Sequence, residues 1–248
     1  MEQQHQFPTE EVTLPSKGLL YPESSPLSKG VIEMKYMTAR EEDILTNQNY
    51  IQNGTVIDKL LQSLIVTSID YNDLLVGDKN AILIAARILG YGSEYSFTYN
   101  EEKIEVDLTD VKDKFLDESL VTEGKNEFHL TLPTSKKEIT FKILTHGDEN
   151  SISNELKGLK KINKNKSSDL TTRMKYIITS VGGDYEKKTI REFVDTQLLA
   201  RDSRALRNHI TDIQPNVDLS YDYEDPRGNM KEISIPIGLN FFWPDTEL

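Results

Sequence analysis

His146-Gly147-Asp148 places an imidazole two residues from a carboxylate, which is the pair that a general base and its orienting acid would need. The other histidines, His5, His129 and His209, share no metal-ligand spacing with it, so the expectation is a strand-end turn feeding a helix. Glu41, Glu42 and Asp43 form an acidic triplet. Adjacent helical residues point in different directions and cannot converge on one substrate, whereas carboxylates in a first helical turn favour its dipole. Gly90-Tyr91-Gly92 follows an apolar helical run instead of opening one, so it lacks the amides of a phosphate cradle. Lys157, Lys160, Lys161, Lys164 and Lys166 are a basic run with no Arg or aromatic residue interleaved to stack on bases. They read as a solvated helix end and linker, with docking on an acidic partner surface as the alternative. Phe241-Phe242-Trp243 holds the only Trp and either closes the core or anchors a partner. No catalytic residue, no metal ligand and no cofactor is expected.

The bulk of the chain agrees with a binding or structural role. Its 248 residues suffice for one large domain or two small ones, and a hydrophobic share of 37% permits a packed core. A net charge of −12 opposes nonspecific binding to nucleic acid and to anionic membranes. The absence of cysteine removes disulfides, thiol nucleophiles and thiolate zinc sites together. Residues 1–12 show no apolar stretch of signal-peptide type, and no window approaches the ~18 apolar residues of a membrane-spanning helix.

The elements that would position these groups follow from periodicity. Pro8, Pro15, Pro22 and Pro26 with Gly18 and Gly30 predict an extended arm over residues 1–30, lying on a surface of its own chain or of a neighbour. Residues 31–92 predict a helical unit. A short strand at 31–36 opens it, and a capping box at Thr38-Ala39-Arg40-Glu41 starts a helix. Val56, Ile57, Leu60, Leu61, Leu64 and Ile65 form an apolar helical stripe, and a further helix runs from Asp78 and closes on Gly90. Over residues 93–146 the period changes to two, which predicts a small antiparallel β subdomain. Residues 147–214 return to helix, including one stripe through Leu170, Met174, Ile177, Ile178 and Val181 and a capping box at Thr189–Glu192. Residues 215–248 read as a hairpin and aromatic tail. The fold class predicted is α+β: two helical units, a small antiparallel β insertion and a C-terminal hairpin.

Two segments at opposite ends carry a family resemblance: Leu14-Pro15-Ser16-Lys17-Gly18-Leu19-Leu20-Tyr21-Pro22, followed by Met37–Thr46, and Ile235-Pro236-Ile237-Gly238-Leu239-Asn240-Phe241-Phe242-Trp243-Pro244. Together they resemble the baseplate hub family of T-even-type contractile-tailed bacteriophages, over roughly residues 12–100 and 190–244. The resemblance implies a non-enzymatic hub protein of the tail, made in the host cytoplasm, with other hub or tail proteins as partners and no nucleic acid or membrane. A transient assembly chaperone absent from the virion is the alternative. Relatives often carry a Cys-x-x-Cys-like knuckle in the last hairpin. Without cysteine, this one must be held by Val217, Leu219, Tyr221, Ile233 and Ile235. On this reading Leu14, Leu19, Leu20 and Tyr21 in the arm, with Phe241, Phe242 and Trp243 in the tail, are the expected partner-binding residues.

Overall fold

The computed structural model describes residues 8–122, 124–162, 168–225 and 227–242. The chain opens with two antiparallel strands, β1 (Thr9–Thr13) and β2 (Val31–Lys35), in which Thr9 faces Lys35 and Thr13 faces Val31. Part of the expected arm is therefore a paired strand, and the loop between the strands folds back on itself, with the Leu14 amide donating to the Gly30 carbonyl at 2.8 Å. Three short helices follow: α1 (Ala39–Leu45), α2 (Gln48–Gln52) and α3 (Val56–Leu64). At the start of α1 the Glu41 carboxylate accepts from the Thr38 amide at 3.0 Å and from its hydroxyl at 2.6 Å, as the sequence predicts. Glu41 is nevertheless buried, and Lys35 pairs with it at 2.8 Å.

Helix α4 (Val76–Tyr91) is the central rod, with Ala81, Ile82, Leu83, Ile84 and Ala86 all buried. It does not stop at Gly90. A Cβ there would come within 2.9 Å of the Met37 side chain, so this glycine permits a close approach within the helix. The positive φ of 83° falls at Gly92 instead.

The predicted β region is real in its strands but not in its grouping. A hairpin of β3 (Glu94–Tyr99) and β4 (Glu102–Asp107) forms one two-stranded sheet. Next, β5 (Lys112–Lys114) leaves the region to pair elsewhere, while β6 (Phe128–Thr131) and β7 (Glu138–Phe141) are antiparallel neighbours. Their third strand comes from the segment read as helical. After α5 (His146–Ile162), helix α6 (Asp169–Ile177) ends at Ile177, and β8 (Ile178–Val181) adds to β7. The β-branched run Ile177-Ile178-Thr179 favours the strand, and the free edge of β7 supplies its partner.

Helix α7 (Lys187–Thr196) begins two residues before Thr189, with Glu186 at its N-cap and Asp184 bracing the turn ahead of it. The Asp184 carboxylate accepts from the Glu186 amide at 2.8 Å and the Thr189 hydroxyl at 2.7 Å. Helix α8 (Ala200–Ile213) leads to β9 (Asn216–Asp218), the partner of β5, and to the closing hairpin of β10 (Ser220–Glu224) and β11 (Met230–Ser234). One contiguous apolar cluster runs from Leu14 to Phe242 and takes in side chains from the arm, the helices, the β hairpins and the tail.

Candidate functional site

Both signature segments close on α4. At its N-terminal turn, Asp78 is fully buried. Its carboxylate accepts from the Ser16 amide at 2.9 Å, the Ser16 hydroxyl at 2.7 Å and the Tyr21 hydroxyl at 2.6 Å. The Tyr21 oxygen in turn accepts from the Leu75 amide at 2.9 Å, which satisfies a donor just ahead of the helix. Burial pushes the Asp78 carboxyl above its ordinary value, and the three bonds from Tyr21 and Ser16 act against that rise. Gly18 makes the turn that brings Ser16 and Tyr21 to the same carboxylate. Its φ is +79°, and a Cβ there would lie 2.3 Å from the Ser28 carbonyl.

Arg87, about two and a half turns further along α4, performs the matching task for the C-terminal segment. The residue is 2% exposed, and its guanidinium donates to the carbonyls of Phe241 at 2.9 Å, Gly92 at 2.7 Å and Glu94 at 2.9 Å. Tyr95 reinforces the junction, donating to the Pro236 carbonyl at 3.0 Å and meeting the Phe241 ring edge-on at 4.8 Å.

The expected partner-binding side chains are therefore inside the molecule. Leu14, Leu20, Tyr21, Phe241 and Phe242 are buried, and Leu19 is half-buried against the same core. Leu19 alone among them keeps part of its surface exposed. Trp243 lies outside the described residues.

His146 and Asp148 are not bonded to each other and sit at the start of α5 (His146–Ile162). Asp148 turns to the start of α5, where its carboxylate accepts from the Thr145 amide at 3.1 Å and pairs with Lys142 at 2.7 Å. His146 instead joins a polar knot that the sequence reading missed, made of Asp58 from α3, Tyr71, Lys79 from α4 and Asn150 from α5. Lys79 pairs with Asp58 at 2.5 Å, and Tyr71 donates to the same oxygen at 3.1 Å. The His146 ring packs edge-on against Tyr71 at 4.7 Å. Its Nδ1 lies 3.2 Å from the Lys79 ammonium and its Nε2 lies 2.9 Å from the Asn150 amide. An ammonium can only donate, so Nδ1 accepts and the ring proton sits on Nε2, where it bonds to Asn150 with that side-chain amide turned to present Oδ1 in place of Nδ2. Burial, then the Lys79 charge, push the imidazole below its ordinary value, with Asp58 and Glu149 opposing. A neutral histidine with both nitrogens engaged and no hydroxyl nucleophile bonded to it is a joint between three helices. No signal in the sequence could have revealed it, because its members are drawn from positions 58 to 150.

Among the described residues no group of three or more His, Asp or Glu could hold a metal ion, and no helix is long and apolar enough to cross a membrane. The family model for the T4 bacteriophage base plate protein matches residues 9–243, from β1 through both α4 anchors to the aromatic tail. The chain belongs to that family. No curated protein and no solved structure matches it. The two segments that carried the resemblance are thus the two clasps of a base plate protein fold, and the β insertion between them lies within the matched range.

Proposed function

We propose that this base plate protein acts at the central hub of the tail, as a non-catalytic component that joins hub proteins through surface contacts. The observation that carries the reading is the pair of clasps. The residues by which the chain resembles hub proteins hold its two ends on one helix, through Asp78 and Arg87. Such residues preserve a docking body; they do not process a substrate. In this reading the arm and tail act by fixing the shape of that body, and their apolar side chains do not insert into a neighbour. Base plate families are in general structural, and the polar knot around His146 offers no nucleophile to depart from that pattern.

Quantitative mass spectrometry of purified virions against infected-cell lysate tests the role. Stoichiometric presence in particles is the expected result for a hub component. Abundance in lysate with absence from virions would make the protein a transient assembly factor. Normal tails assembled by a phage lacking the protein would remove both readings.

A further inference from the structure

The charge of this acidic protein is unevenly shared. Residues 146–213, spanning α5 to α8, carry thirteen Lys and Arg against ten Asp and Glu, a net +3; the rest carries sixteen against thirty-one, a net −15, and two of the thirteen, Lys164 and Lys166, lie outside the described residues. Within the positive half, α8 presents Arg201, Arg204 and Arg207 at successive turns. All three are exposed, and none makes an ion pair or side-chain hydrogen bond with a described residue. Arg87, Arg173 and Arg191 are all engaged, by backbone carbonyls, Glu149 and Glu155 respectively.

Arg207, the last of the three, lines a groove of about 370 Å³ between α6 and α8, with Arg204 one turn before it on the same helix. Leu170, Met174 and Ile177 from α6 and Ile210 from α8 line its sides, with Ile143 and Leu144 between them. Leu170 is 45% exposed; of the charged groups at the lining, Arg173 is paired with Glu149 and Lys142 with Asp148, which leaves Arg207 as the cation there unpaired among the described residues. An apolar trough flanked by cations fits a segment that brings apolar side chains and carboxylates together.

We propose that the α6–α8 groove docks an acidic amphipathic segment of another tail protein, its apolar residues in the trough and its carboxylates on Arg204 and Arg207. The choice of a tail protein as occupant rests on the assembly role proposed above; the chemistry of the groove does not. A second copy of this chain is a poorer occupant because two bodies of charge −12 repel on approach. Nucleic acid is poorer too. No aromatic ring lines the groove for base stacking, and a long polyanion would also meet the negative remainder. A short segment stays within the local positive field, which salt screens beyond about 10 Å.

The test uses the full chain and a synthetic helical peptide of Glu and Leu with Leu at i, i+3 and i+4 spacing, read by methyl NMR and fluorescence anisotropy. Shifts at the Met174, Ile177 and Ile210 methyls are expected, with little binding of the matching Lys/Leu peptide. The double variant R204E/R207E should weaken the Glu/Leu peptide more than about tenfold, and L170S should weaken it as well, while K187E/K188E on the exposed face of α7 should change it less than about twofold. These positions are exposed, so thermal melting should report an unchanged fold. Phage carrying R204E/R207E should give a reduced yield of complete tails. Binding indifferent to R204E/R207E, shifts away from the groove, or peptide displacement by single-stranded DNA would overturn the proposal. Concentration-dependent self-association blocked by the peptide would assign the groove to a second copy. Failure here with a virion-resident protein sinks the groove alone; normal tails made without the protein sink the assembly role alone.

Discussion

Asp78 shows how one residue type can be misread until its surroundings are known. In the sequence it reads as a helix-opening carboxylate, and in the structure it is the fully buried acceptor of three donors from the arm. Asp78→Ala would strand those donors, at a cost of roughly 3–5 kcal/mol in denaturant unfolding. Tyr21→Phe removes only the hydroxyl that links Asp78 to the Leu75 amide, and should cost about 1–2 kcal/mol. A Tyr21→Phe protein as stable as the parent would show that the hydroxyl is idle. The titratable groups predict the acid side of the stability curve. Burial alone would raise the Glu41 carboxyl, but bonds from Lys35 and Thr38 hold it below its ordinary value of 4.5. A carboxyl depressed in the folded state stabilises at higher pH, and that share is lost as pH falls below about 4.5 and through the folded value. His146 adds an earlier loss. Its imidazole is pushed below 6.5, so the unfolded chain takes up a proton first and stability begins to fall as pH drops under about 6.5. His146→Gln should flatten the pH 5–6.5 limb of a melting-temperature profile and Glu41→Gln the limb below it; unchanged limbs would remove these assignments.

At the scale of elements, helix α4 organises the molecule because both ends of the chain return to it. The clasp at its start depends on the Gly18 turn. Gly18→Ala combines an unfavourable positive φ with a 2.3 Å approach to the Ser28 carbonyl, and should destabilise by roughly 2–4 kcal/mol. The clasp at its end depends on Arg87. Arg87→Ala should cost about 3–5 kcal/mol and expose residues 235–242 to limited proteolysis before the rest of the chain. Simultaneous cleavage throughout would mean that the tail is held by its aromatic packing alone. Element types were largely legible. The stripe Val56–Leu64 is a helix, and the alternation at 95–99 and 128–131 is strand. The segment from Ile178 to Val181 was not, since its side chains fit a helical stripe and a strand equally, and only the open edge of β7 decides between them. The start of α7 was missed for a related reason: the Thr189 hydroxyl donates to Asp184, outside the helix, and so does not cap a helix of its own.

For the whole molecule, the arm and tail are part of the folding unit. Alanine at Leu14, Leu20 or Phe241 should lower stability by about 2–5 kcal/mol each, so a loss of partner binding in such variants would follow from unfolding. Urea titration of each variant, before any binding measurement, separates the two effects. Sequence alone determined that the chain is α+β, that it carries no thiolate chemistry, and that its terminal segments resemble those of phage base plate proteins. These conclusions rest on composition, on local periodicity and on residue order, all of which the linear chain contains. Only the tertiary structure decided what covers Leu14 and Phe241, where Asp78 and Arg87 find their partners, and that Arg207, unpaired among the described residues, lines a groove of an acidic protein. An apolar or ionisable side chain announces that it needs a neighbour. Which neighbour it receives depends on contacts between residues such as Ser16 and Asp78, or Arg87 and Phe241, which are far apart in the chain and meet only when it is folded.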